Sequence, residues 1–164
     1  MFSFSCSYSL VLGERGVTTA THYDAGRNMI GMIHGAKRYI LQPPRECHKL
    51  GIVTSRHSAF FRHSLLELGK IIDQTDDSKR TATIPEEKSW LDRAATSEGV
   101  ETVLKTGEVL FVPSHWFHYI IGLQKNAQCN VRSGVDFVGD EEFGSAEDVS
   151  PERCDPRTRK YHIS

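Results

Sequence analysis

The stretch THYDAGRN, residues 21–28, decides how this chain is to be read. It ends a threonine-rich run, VTTATHYD, of the β-branched and aromatic kind that forms strands. In a strand, residues i and i+2 share a face, so His22 and Asp24 can point at one spot. An H-x-D pair alone is more often a hydrogen-bonded polar strand end than half of a metal site. Its surroundings must decide.

On either side the pattern stays β. YSLVLG, NMIGMIHG and KRYILQPP are short strand-like runs broken by Gly, Asn and Pro, and after a different middle region GVETVLKTG, EVLFVP, HYIIGL and AQCNVRSGVDF continue them. The middle, about residues 45–99, has apolar residues at helical spacing in SAFFRHSLLELGKII and a proline followed by acids at the start of PEEKSWLDRAA. The expectation is a mainly β domain over residues 1–138, with a partly helical insertion between two sheet halves. Residues 139–164 are expected to be a polar tail that offers little to a core.

The 164 residues suit a single domain. With 20 Lys+Arg against 21 Asp+Glu, no overall field draws in a polyanion, so there is no strong nucleic-acid signal. No stretch reaches membrane-spanning length, and the N-terminus lacks the basic start of a signal peptide, so a cytoplasmic or nuclear protein is expected. Cys6, Cys47, Cys129 and Cys154 have no C-x-x-C spacing and are read as reduced thiols.

A third ligand for an H-x-D pair can come from GEVLFVPSHWFHYI, which holds His115 and His118. His118 is preferred because it heads the strand HYIIGL, whose period carries it inward with Ile120 and Gly122. His115 follows Pro113 in a turn, where solvent is the natural expectation. Two histidines and a carboxylate suit a non-haem Fe(II) site, although catalytic zinc uses the same set. Lys37 shares a strand face with Tyr39 and Leu41; if that face lines a barrel, its ammonium is buried and requires an anion. A cosubstrate carboxylate would serve, and the Thr19 hydroxyl could bond to the same group. The remaining histidines, His34, His48, His57, His63 and His162, are assigned to the surface or to local hydrogen bonds, and Arg132 to a solvated strand face. Trp116 and Phe117 are read as packing residues.

Three blocks in order carry a family resemblance: T-x-x-H-Y-D-x-x-x-N at residues 19–28, G-x-K-R-x-x-L-x-P-P at 35–44, and G-E-V-L-F-V-P-x-x-W-F-H at 107–118. Over residues 8–135 the chain resembles the cupin-like, JmjC-related branch of Fe(II)/2-oxoglutarate oxygenases, which contains protein asparaginyl hydroxylases. The resemblance implies a double-stranded β-helix, or jelly roll, with iron on His22, Asp24 and His118. It implies 2-oxoglutarate held by Lys37 and Thr19, Asn28 lining the same pocket, and Ser133 where relatives place a polar cosubstrate contact, usually an asparagine. Dioxygen would be the second substrate, and a protein or peptide side chain the group hydroxylated, or an N-methyl-lysine demethylated. Two further expectations are a cupin-like binding or scaffold module without turnover, and a metal-dependent cupin enzyme with a small-molecule substrate. A homodimer is compatible with all three.

Overall fold

A computed structural model describes residues 6–66, 85–134 and 149–154. The described residues form eight strands: β1 (Cys6–Gly13), β2 (Thr18–Tyr23), β3 (Arg27–His34), β4 (Ala36–Gln42), β5 (Val100–Lys105), β6 (Val109–Val112), β7 (Phe117–Gly122) and β8 (Asn126–Ser133). They make two four-stranded antiparallel sheets, in the orders β1-β8-β3-β6 and β2-β7-β4-β5. This is the double-stranded β-helix that the family resemblance implied, with its two halves separated by the middle region. Among the described residues, no helix is long and apolar enough to cross a membrane.

Turn chemistry sets the alternation between sheets. Between β3 and β4, Gly35 sits at φ +80°, and a Cβ there would strike the Lys125 carbonyl, so only glycine permits this tight reversal. The space between the sheets is filled by Ile30 and Met32 from β3, Tyr39 and Leu41 from β4, Leu104 and Val112, with Trp116 and Ile120 packed against them. A second core lies on the outer side of the β2-β7-β4-β5 sheet. There Tyr23 and Phe117 pack with Cys47, Leu50, Ile52, Ala94, Val149 and Cys154.

The segments that build this outer core correct three expectations. SAFFRHSLL is not helical: residues 58–66 form turns and isolated bridges, His22 to His63 and Ile52 to Ser64, while the remainder of SAFFRHSLLELGKII lies outside the described residues. Leu66 packs against the outer core while Phe60 and Leu65 stay exposed, and backbone bonds from Ser64 to Thr21 and from Arg62 to Val53 replace helical ones. PEEKSWLDRA does form a helix, α1 (Pro85–Ala94), which packs Leu91 and Ala94 inward. The tail does contribute to a core: the four-residue helix α2 (Pro151–Cys154) brings Val149 and Cys154 onto the 3-10 helix Pro44–Lys49. There Cys154 is disulfide-bonded to Cys47, with Cα atoms 4.9 Å apart, so these two cysteines are not reduced thiols. Cysteine spacing could not reveal the bond, because it joins positions 107 residues apart.

Candidate metal centre

The site is built by an irregularity in β2. Thr19 pairs with Ile120 and His22 with His118, so three steps along β2 match two along β7. That extra residue is a bulge. Without it, Thr19 and His22 would face opposite ways; with it, both stand on the interior side, beside Tyr39 and Leu41 in the neighbouring β4. The bulge leaves the Thr21 side chain buried, with no hydrogen-bond partner for its hydroxyl among the described residues.

His22, Asp24 and His118 come together as one cluster, each offering a ligand atom within 4.8 Å of the others. The His22 Nδ1–H donates to the Ala20 carbonyl at 2.9 Å, and the His118 Nδ1–H to the Trp116 carbonyl at 3.1 Å. A carbonyl only accepts, so each ring carries its proton on Nδ1 and turns a bare Nε2 lone pair inward. Those two Nε2 atoms are 3.1 Å apart. Two facing lone pairs repel unless a proton or a cation lies between them. Burial above all, and then the neighbouring His22, push the His118 pKa down to about 4, and burial also lowers that of His22. Neutral imidazoles tied at Nδ1 beside a carboxylate are the donor set that a divalent metal requires, so the residues fit the group.

Asp24 completes the set. Its Oδ2 lies 4.0 Å from His118 Nε2, and it accepts from Asn28 Nδ2 at 3.2 Å and pairs with Arg132 Nη2 at 3.0 Å. Asn28 is therefore at the site, holding the carboxylate in place. Arg132 is not simply solvated, as expected from sequence; it reaches across from β8 to Asp24. Ser133 is corrected in the other direction. It pairs with Arg27, whereas Asn28 pairs with Arg132, so Ser133 lies on the outer side of its sheet.

His115 is also not where the sequence put it. It is buried, at φ +64°, and its backbone N–H donates to the Asp24 carbonyl at 2.8 Å. It supports the backbone of the cluster and contributes no atom to it. His63, read as a locally bonded histidine, does donate from Nδ1 to the Phe61 carbonyl at 3.0 Å, but its ring also stacks on His22, centroids 5.1 Å apart and planes within 15°. No sequence signal connected it with residue 22.

Further along the same interior face, Lys37 lies four residues from Leu41 on β4, opposite Gly122 of β7. It is only 8% exposed, burial lowers its pKa, and no described carboxylate pairs with it. Nearby polarity comes from β8: Tyr39 Oη–H donates to Gln128 Oε1 at 2.8 Å, and Gln128 Nε2 to Asn130 Oδ1 at 2.7 Å. The signal for this wall was present in NAQCNVRS, where Asn126, Gln128, Asn130 and Arg132 alternate with apolar residues and turn inward. Thr19 is on the interior face by register, on the edge strand β2, and remains exposed.

Comparison with known proteins gives the same frame. The Cupin-like domain family profile matches residues 4–132. The Arabidopsis thaliana lysine-specific demethylase JMJ32 is 26% identical over 132 residues, covering 72% of this chain and 38% of that protein. The Danio rerio tRNA wybutosine-synthesizing protein 5 is 26% identical over 120 residues, 73% of this chain and 30% of its own length. Human HSPB1-associated protein 1 is 31% identical over 116 residues, 68% and 20%. The chain thus spans well under half of each of these relatives.

Proposed function

Because the chain belongs to the Cupin-like domain family, we propose that it is an Fe(II)- and 2-oxoglutarate-dependent dioxygenase that hydroxylates a protein side chain, with N-methyl-lysine demethylation as a variant of the same chemistry. The observation that carries this reading is the combination, on one interior face, of the His22, Asp24 and His118 donor set with the buried ammonium of Lys37, which no described carboxylate pairs. A metal site alone does not call for Lys37. A buried cation persists when something anionic neutralises it, and a diacid that reaches from the metal to Lys37 would do so.

When bound, iron, 2-oxoglutarate and dioxygen supply an oxidant able to hydroxylate a C–H bond, while the diacid is converted to succinate and carbon dioxide. The protein's part is to bind and orient. His22 and His118 present neutral Nε2 lone pairs held by backbone carbonyls. Asn28 and Arg132 load one oxygen of Asp24 and so fix the carboxylate. Lys37 would take the distal carboxylate and Thr19 would offer a hydroxyl to it, beside the packed side chains of Tyr39 and Leu41. JMJ32, a relative named as a lysine-specific demethylase, supports a protein substrate.

The test is anaerobic calorimetry with Mn(II) and 2-oxoglutarate, followed by a succinate assay with Fe(II) in air. Binding of 2-oxoglutarate that requires the metal, with slow succinate release, is expected. Metal binding without 2-oxoglutarate would leave a metal-dependent cupin with another substrate. Binding of neither would leave a module without turnover.

A further inference from the structure

His22 stands on the edge strand of its sheet, since the order is β2-β7-β4-β5. The bulge disrupts the ladder on its β7 side, and the carbonyl that holds its Nδ1–H, that of Ala20, lies inside the bulge. The free side of β2 is closed by the middle region. The Tyr23 N–H donates to the Arg62 carbonyl at 3.2 Å and the Ser64 N–H to the Thr21 carbonyl at 2.8 Å, flanking the antiparallel bridge between His22 and His63. Bonds that flank a facing pair make it the closer kind, with side chains side by side on one face. His63 is itself well held. Its carbonyl accepts from the Val53 N–H at 2.9 Å, its Nδ1–H donates to the Phe61 carbonyl, and the next residue, Ser64, donates from Oγ to the Leu50 carbonyl at 2.6 Å. The result is the near-parallel ring stack on His22, while His118 meets the same ring at 4.2 Å, tilted by 62°.

We propose that His63 is a positioning residue of the metal centre: its ring, presented by the middle region, holds the plane of the His22 imidazole so that Nε2 stays turned into the cluster. His63 is not one of the clustered ligand residues, so it acts through His22. The need for it follows from the torsion that carries the ring. Rotation about the Cβ–Cγ bond of a histidine is broad and roughly two-fold, so the side chain alone does not fix which way its nitrogens point. A turned ring would take Nδ1–H off the Ala20 carbonyl and Nε2 away from Asp24 and His118. A flat ring lying against it opposes that turn. The inference rests on the metal-binding part of the function proposed above and not on 2-oxoglutarate or the substrate hydroxylated. It gives the middle region a direct part in the site, because His63 reaches the cluster from outside the two sheets.

The test compares the full chain, wild type, with His63→Ala, His63→Leu and His63→Phe. Leu keeps the volume without a flat ring, and Phe keeps the flat ring without nitrogen, so the answer does not hang on the fold of His63→Ala. Two readouts are taken. Titration with Co(II), followed by its visible absorption, reports affinity and ligand geometry. Imidazole nitrogen-15 shifts of His22 in the metal-free protein report whether its proton stays on Nδ1. His63→Ala and His63→Leu should bind Co(II) about 10-fold more weakly, the usual scale for losing an outer partner of a ligand, with altered absorption bands. In both, the His22 shifts should move toward the average of two tautomers. His63→Phe should match the wild type in bands and shifts. Wild-type bands and shifts in both His63→Ala and His63→Leu would overturn the proposal, and so would a His63→Phe protein as altered as His63→Ala. A wild type that takes up no Co(II) would instead overturn the metal site itself, and the shifts of the metal-free protein would still decide the part assigned to His63.

Discussion

His118 and His115 are three residues apart and both are buried, yet their environments assign them different work. His118 turns Nε2 toward His22, while His115 braces Asp24 through its backbone and packs against Tyr23, ring centroids 5.7 Å apart. His118→Ala should abolish Mn(II) binding measured by calorimetry. His115→Ala should keep most of it but lower the unfolding free energy by about 1 to 3 kcal/mol, the cost of a buried polar side chain removed from a packed site. Equal loss of metal in both variants would break the assignment. Titration tests the His118 environment as well. In chelated protein the folded state holds His118 neutral down to about pH 4, against an ordinary value of 6.5, and His22 is shifted the same way. Below 6.5 the unfolded chain therefore binds protons that the folded chain refuses. Stability should be fully present above about pH 6.5 and fall as pH drops toward 4. Urea midpoints of the metal-free protein across that window should show the decline, and Mn(II), which also selects neutral rings, should raise the midpoint most at the upper end.

The elements show where the sequence is legible and where it is not. All eight strands and α1 follow from period and turn residues, although on β1 and β8 it is the apolar side that faces outward. The H-x-D pair was readable because its two-residue spacing is local. The facing of Thr19 toward the same side depends on a bulge created by pairing with β7, and pairing is not written in β2 alone. Arg132 and His63 were missed for the same reason, as each meets the cluster only through tertiary contacts. Residues 58–66 misled because apolar spacing that suits a helix also suits turns laid on a sheet. The Cys47–Cys154 bond is the clearest case of long range, tying α2 to the 3-10 helix across 107 residues. Cys154→Ser should lower unfolding free energy by about 2 to 4 kcal/mol in non-reducing urea titrations. Reductant should bring the wild type to the same midpoint and leave the variant where it is; a variant as stable as the oxidised wild type would show the bond to be incidental.

Across the whole molecule, polarity is distributed against stability. A jelly roll built for stability alone would fill the space between its sheets with apolar side chains. This one keeps two neutral imidazoles, a carboxylate, Gln128, Asn130 and the Lys37 ammonium there, while apolar rows face outward on β1 and β8. Lys37 is the sharpest instance, because burial without a described carboxylate disfavours its charged form. Replacing it with an apolar residue of similar volume removes that penalty. Lys37→Met should therefore raise the melting temperature of the metal-free, ligand-free protein. The same change should weaken 2-oxoglutarate binding by about 2 to 5 kcal/mol, the cost of truncating one partner of a buried charge pair, while Mn(II) still binds. Lys37→Arg should recover only part of the affinity, since a planar guanidinium cannot place its donors where a compact ammonium sat. Thermal shift with and without 2-oxoglutarate, on Mn(II)-loaded protein, reads both effects together: wild type is stabilised by the diacid, and Lys37→Met starts higher and barely moves. A ligand-induced shift of equal size in both would mean that Lys37 does not meet the diacid, and the buried ammonium would then have no part in the proposed chemistry.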